Sequence, residues 1–355
     1  MSNVVVILGA GASADFGVPT LRGVFKDVNA QAYLRADPIL RPKLEQFFWQ
    51  PRGHSLQTSE QSLTIEEMLT LLRDWELEPS LQTRPTRAEF EDFRRRLYVL
   101  IYYAVYSGKS SRGEHLNPLI EILGKKLTHV TWASFNWDCL FESSFYYRSG
   151  PPGPYGARRN PTLVVNLADW RQGCSHHEYL KLHGSVNWWM VNGTLTYLRF
   201  GSGGTLAQKW SDYSHGGDTT DFPVILEPSA YKYQDEVYKL LEPQWQRFFE
   251  RLCEADCVLV VGYSLPDSDS QARSKILTAF QANNNCKWLA VDPSTDVCGR
   301  YRRLLGLPRL TVLETTLAGF NNDLRENLRL AFDNVDFSDP EPAAAAAGTP
   351  TGVIE

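Results

Sequence analysis

Five apolar residues, Val4-Val5-Val6-Ile7-Leu8, run without interruption into Gly9-Ala10-Gly11-Ala12-Ser13-Ala14, and Gly17-Val18-Pro19 follows at once. A short β-branched run that stops in a glycine turn predicts the opening strand of a parallel α/β sheet, with a helix directly behind it. The first glycine permits the tight turn, and the second lets backbone N–H groups approach a pyrophosphate. Ala14 is small enough for the helix to pack on the sheet. Such a turn by itself serves nicotinamide dinucleotides, flavins, sugar nucleotides or packing alone, so it constrains the fold before the chemistry.

Further β-rich runs at residues 129–133, 163–165, 179–182, 258–261, 288–291 and 310–313 alternate with helical patterns. This alternation predicts an α/β fold, a Rossmann-like parallel sheet covered by helices. Two insertions are expected to interrupt it. The first, at about 29–126, is helical: Thr64-x-x-Glu67 and Thr86-x-x-Glu89 are capping boxes. Ile65, Met68, Leu69 and Leu72 would line one helix face, and Phe90, Phe93, Leu97, Ile101 and Ala104 another. The second, at about 150–222, is irregular, with loop signals at Pro151-Pro152-Gly153-Pro154, Gly201-Ser202-Gly203-Gly204 and His215-Gly216-Gly217, and a hairpin at Asn192-Gly193. One domain, 1–335, is expected to hold both insertions, and the Pro- and Ala-rich residues 336–355 read as a disordered tail.

With 43% hydrophobic residues the 355-residue chain can supply a sizeable core, and a net charge of -5 leaves no basic footprint for direct nucleic-acid binding. The opening apolar run is too short for a signal peptide and lacks a basic leader. No stretch reaches the ~18 apolar residues of a membrane span, so a cytoplasmic protein is expected. Six cysteines, at 139, 174, 253, 257, 286 and 298, form no paired framework, and Cys253-x-x-x-Cys257 lacks a second pair for zinc. Isolated buried thiols are the expectation.

In open α/β sheets ligands bind outside the carboxyl ends of the strands. The polar residues expected there come from five segments: the Gly9–Ser13 turn, Ser134-Phe135-Asn136-Trp137-Asp138, His183-Gly184-Ser185, Gly262-Tyr263-Ser264-Leu265 and Asp292-Pro293. Each has a plainer use. Asn136 and Asp138 serve equally as caps of a helix starting near Cys139. His183 could be a satisfied core histidine. His176-His177 reads as a solvated loop rather than a metal fragment, and Trp188-Trp189 with Tyr231 and Tyr233 reads as packing.

Taken together and in order, these motifs resemble the sirtuin family. Gly9-Ala-Gly-Ala-Ser13-Ala-Asp-Phe-Gly17-Val-Pro19-Thr-Leu-Arg22 is similar to the sirtuin NAD loop, and Ser134-Phe-Asn136-Trp-Asp138-Cys-Leu140 to its Thr-Gln-Asn-Ile-Asp-x-Leu motif. Leu182-His183-Gly184 is similar to the catalytic Leu-His-Gly, and Gly262-Tyr-Ser264-Leu265 to the late Gly-Thr-Ser-Leu turn. The chain departs at Thr20-Leu21, where the family has Asp-Phe, and it lacks the two Cys-x-x-Cys pairs that hold a structural zinc in protein-deacylating sirtuins. The irregular insertion would stand in place of that zinc module. In this it resembles the zinc-free, sirtuin-like NADases of bacterial anti-phage defence.

The resemblance implies an enzyme, an NAD+ glycohydrolase that cleaves the nicotinamide–ribose bond to give nicotinamide and ADP-ribose or a cyclised form, with NAD+ as substrate and no zinc. It implies catalytic roles for Asn136, His183 and Asp138. Gly9, Ala10, Gly11, Ser13, Pro19, Arg22, Gly262, Ser264 and Asp292 would bind the dinucleotide. Partners implied are further copies of the chain in a homo-oligomer and a separate sensor or activator, such as a hexameric translocating ATPase or a short Argonaute. The helical insertion is a candidate for assembly or for covering the site. Two other readings stay open: a protein deacylase or ADP-ribosyltransferase, and a module that senses NAD or ADP-ribose without turnover.

Overall fold

The computed structural model describes residues 3–49, 63–78, 86–105, 116–127, 129–149, 165–166, 176–198, 205–216, 220–229, 236–306, 308–332 and 337. Ten strands run through them: β1 (Asn3–Leu8), β2 (His129–Ser134), β3 (Val165–Asn166), β4 (His176–Lys181), β5 (Gly184–Val191), β6 (Thr194–Tyr197), β7 (Phe222–Ile225), β8 (Cys257–Val261), β9 (Lys287–Val291) and β10 (Leu310–Leu313). The helices up to β2 are α1 (Ala10–Ala14), α2 (Val28–Ala36), α3 (Leu40–Leu44), α4 (Ile65–Leu77), α5 (Arg87–Val105) and α6 (Leu116–Lys126). Then come α7 (Leu140–Ser149), α8 (Thr205–Ser214), α9 (Glu236–Glu254), α10 (Ser270–Ala282), α11 (Thr295–Leu305), α12 (Leu317–Asn322) and α13 (Leu324–Arg329).

The large sheet has the order β10-β9-β8-β1-β2-β4-β3, parallel throughout except for the short β3 at its edge. Counting its parallel strands along the chain gives 6-5-4-1-2-3, which is the dinucleotide-binding order read from the other side, with the reversal between β1 and β8. The opening apolar run is unbroken because β1 is covered on both faces: Val4, Val6 and Leu8 enter one core, Val5 and Ile7 the other. Helices α9, α10 and α11 cover the Val5 face, and α2 to α6 with α12 and α13 cover the opposite one.

Both capping boxes form. Thr64 accepts from the Glu67 N–H while the Glu67 carboxylate accepts from the Thr64 N–H at 2.7 Å, and Thr86 with Glu89 repeats the exchange at 2.8 Å. The apolar positions expected on α4 and α5 are all buried. The region expected to be irregular differs: its described residues include a second, antiparallel sheet of order β6-β5-β7 and helix α8. Period-2 alternation along β5 explains it. Trp189 turns to Trp210 and Tyr213 of α8 at 4.9 and 5.5 Å, whereas Trp188 meets Tyr197 of β6 at 5.3 Å on the other side. Asn192 and Gly193 close the expected hairpin with both φ positive, as a type I′ turn requires. Cys174, Tyr231, Tyr233, the loop signals at 151–154 and 201–204, Gly217 and all of the tail but Phe337 lie outside the described residues.

His177 is not in a solvated loop. It lies within β4, buried, with Nδ1 accepting the Trp132 indole N–H at 3.0 Å. Burial pushes its pKa down from 6.5 to about 4. Between those values the unfolded chain binds the proton and the folded chain does not, so this contribution is complete above about pH 6.5 and is lost as the pH falls toward 4. The loss should amount to about 3 kcal/mol. Urea unfolding at pH 7 and 4.5 checks it, with His177→Asn expected to flatten the slope; equal slopes in the two proteins would contradict it.

Candidate functional site

The strand reversal leaves a crevice above β1 and β8, and two glycine turns meet there. The Gly9 N–H donates to Val261 O at 3.0 Å, and the Gly11 N–H donates to Gly262 O at 2.8 Å. Gly262 has φ +61°, and a Cβ on it would overlap the backbone of Gly11 and Ala12; one on Gly11 would sit 2.7 Å from the Gly262 Cα. These glycines are therefore required first by each other. Gly262→Ala should cost well over about 1 kcal/mol from the left-handed backbone alone, with the overlap added. Thermal unfolding reads the loss, and an unchanged midpoint would count against this packing. The interlock also narrows the expected pyrophosphate donors. The N–H groups of Gly9, Gly11 and Ala12 are spent on Val261, Gly262 and Gly9 carbonyls, whereas Ala10 at the start of α1 is exposed.

Asn136, just past β2, reaches across to this turn. Its Nδ2 donates to Gly9 O at 2.8 Å and to Ser13 Oγ at 2.9 Å, and its Oδ1 is engaged by no described residue. Ser13 Oγ donates in turn to Asp138 Oδ2 at 2.7 Å, and Asp138 Oδ1 accepts the Leu140 N–H at 3.0 Å. Both Asp138 oxygens are thus used by the protein. Asp138 binds the loop to the first residue of α7, which leaves Asn136 as the group of the pair with a free acceptor. Under this loop Lys181, 1% exposed, donates to the Asp138 carbonyl and pairs with Glu142 at 3.1 Å. Burial alone lowers the Lys181 pKa, but Glu142, then Cys139 and Asp138, hold it above the ordinary lysine value. Cys139 is no nucleophile, since burial and then Glu142 push its thiol well up.

His183 occupies the corner where the chain leaves β4 for β5, moving from the large sheet to the small one. Gly184 makes that corner possible: its φ is +71°, and a Cβ there would collide with Val224 O. The His183 carbonyl accepts the Leu226 N–H at 2.9 Å. Its ring lies 5.1 Å from Phe135 in an edge contact and 6.0 Å from Trp245. Nε2 is 3.3 Å from Asp269 Oδ1, within ion-pair reach but off the line for a hydrogen bond.

On the other flank, Asp292 ends β9, buried, with Oδ1 accepting the Ser294 N–H at 2.9 Å. Burial raises its pKa against the pull of that N–H and of Arg300. Arg300 donates to the Ser264 carbonyl, fixing the turn after β8. Pro19 is half-buried and Arg22 exposed; no hydrogen bond or ion pair ties Arg22 to the rest of the set among the described residues. Sequence reading passed over Lys181, Glu142 and Asp269. A lysine within a run ending in His-Gly was the available signal for the first, while Asp269 had the ordinary look of a helix cap.

Fold and site together define a parallel α/β protein of dinucleotide-binding strand order, with an amide beside its glycine turn and an imidazole at the end of the second strand from it. No protein-family model and no curated protein matches the chain. Among solved structures, one concerned with the structural basis of sirtuin substrate affinity is similar at a TM-score of 0.49 and 11% identity, over 91% of this chain and 93% of that one. A Sir2 with a p53 peptide and NAD+ gives 0.46 and 10%, over 92% and 93%. A Sir2 with the inhibitor EX-527, 2′-O-acetyl-ADP-ribose and deacetylated p53 peptide gives 0.41 and 12%, over 91% and 92%. These similarities assign no family. Among the described residues no three His, Cys, Asp or Glu side chains are placed to hold a metal ion, and no helix is long and apolar enough to cross a membrane.

Proposed function

We propose that the chain is an NAD+ hydrolase that releases nicotinamide and leaves ADP-ribose or a cyclised form. One observation carries the reading. Five neighbouring strands, β9, β8, β1, β2 and β4, end in Asp292, Ser264, the Gly9 turn, Asn136 and His183 in that order. Four strand spacings of ~4.8 Å make an edge of about 19 Å, long enough for a dinucleotide laid across it. The order of groups follows the order of the molecule: a carboxylate for the adenosine ribose, the helix start for the pyrophosphate, and the amide and imidazole for the nicotinamide ribose.

Nicotinamide is a cationic leaving group, so the site has to hold the dinucleotide in a strained pose and stabilise an oxocarbenium-like transition state. Asn136, held by its Nδ2, presents Oδ1 to the ribose or to a water. His183 accepts the proton as the water oxygen bonds to the anomeric carbon and the glycosidic bond breaks, its electron pair leaving with neutral nicotinamide. A module for binding alone would need the glycine turns but no base.

Water is favoured over an acyl-lysine because the Cys-x-x-Cys pairs of the deacylating sirtuins are missing from the sequence. That departure, with the motif resemblance over the Rossmann-like core, also supports a place as the NAD-depleting effector of bacterial anti-phage defence: a zinc-free, cytoplasmic homo-oligomer switched by a separate partner. NAD consumption with and without an acylated lysine peptide tests the reaction. Release of nicotinamide indifferent to peptide is expected. Release that needs the peptide would make the chain a deacylase or transferase, and tight binding without product would make it a sensor.

A further inference from the structure

Asp269 occupies the position directly before α10, where an aspartate ordinarily accepts an N–H of the first helical turn. It makes no such bond. Its carboxylate, 3% exposed, instead faces the site: Oδ2 accepts the Tyr263 hydroxyl at 2.8 Å and Oδ1 lies 3.3 Å from His183 Nε2. Tyr263 in turn stacks on Phe135 at 4.1 Å and 15°, and Phe135 meets the edge of the imidazole. The four side chains close a ring. Trp245 and Phe135 bring no charge to the histidine, so the titratable groups that face it among the described contacts are Asp269 and, behind it, Tyr263.

The two ring nitrogens are unequal. Nε2 is enclosed, and the tenth of the side chain that remains exposed belongs to its other atoms. A substrate cannot reach Nε2. A neutral imidazole carries one N–H, and a carboxylate beside one nitrogen places the proton there, leaves the other as the base and stabilises the imidazolium that forms. The present contact is off the line for that bond, as is common before substrate binds.

We propose that Asp269, held by Tyr263, is a positioning residue that takes the Nε2 proton of His183 and leaves Nδ1 to accept the proton from water or ribose. This deepens the hydrolase reading and rests on it.

Nitrogen-15 spectra of the histidine rings in the full chain test it, the His183 signal being the one missing from His183→Gln. The wild type is expected as the Nε2–H tautomer, and Asp269→Asn, whose amide can donate to Nε2, should move the proton to Nδ1. In the same variant kcat for NAD+ should fall ~10²-fold or more with KM near its wild-type value, and the acid limb of the rate profile should move to lower pH. Tyr263→Phe should give the same changes in smaller measure, and it decides the matter if Asp269→Asn does not fold. A wild-type His183 protonated on Nδ1 overturns the proposal, as does a folded Asp269→Asn with unchanged kcat and pH profile. A wild type that never consumes NAD+ would instead sink the hydrolase reading, while the tautomer still decides the role of Asp269.

Discussion

His183→Ala should lower nicotinamide release by about 10²-fold or more, the usual worth of a positioned acid–base group, and Asn136→Ala by about as much through lost orientation of the ribose or water. The two losses have different structural costs. Among the described residues the polar side chain close to the His183 ring is Asp269, and the His183 carbonyl bond to Leu226 belongs to the backbone, so the alanine variant keeps the fold. Asn136 also donates to Gly9 O and Ser13 Oγ, so its removal should lower stability by about 1–2 kcal/mol, at roughly 1 kcal/mol for each bond. Chromatography of released nicotinamide and urea unfolding on the same samples separate the effects. Unchanged release in both variants would remove the assignment.

Lys181→Met should be among the most destabilising single changes in the described core. Lys181 and Glu142 are each 1% exposed and 3.1 Å apart, so removing the ammonium strands a buried carboxylate at a cost of about 3–5 kcal/mol. The effect should reach the site, because the same ammonium holds the Asp138 carbonyl beneath Asn136. Lys181→Met combined with Glu142→Leu should recover most of the stability, since a buried pair replaced by apolar groups is often neutral. Urea titration of the three proteins checks it. A single variant as stable as the wild type would show that the pair contributes nothing.

The parallel sheet was legible because β1, β8 and β9 are buried on both faces and so read as unbroken apolar runs. The capped helices were legible for a local reason: Thr64 with Glu67, and Thr86 with Glu89, exchange bonds within one turn. Of the small sheet only the β5–β6 hairpin was legible, at Asn192-Gly193; the pairing with β7 was not, because it joins Gly184 to Ile225 and Met190 to Phe222 across a long stretch of chain. His177 misled for a related reason. A polar residue at a strand start looks solvated until its partner, Trp132, is known from the neighbouring strand. Asn136 and His183 could be named from motifs, yet their environments could not. Ser13, Gly9 and Asp269 are contacts across dozens of residues, and nothing local marks Asp269 as other than a cap.

The proposed function comes down to one claim, that the carboxyl edge of the sheet breaks NAD+ rather than merely holding it. The most direct test is the mass balance of a purified full-length preparation incubated with NAD+, following nicotinamide and the ribosyl product together. Equimolar nicotinamide and ADP-ribose, or its cyclised form, released over many turnovers and absent from Asn136→Ala, is the predicted result. NAD+ recovered intact from a saturated complex would contradict the account.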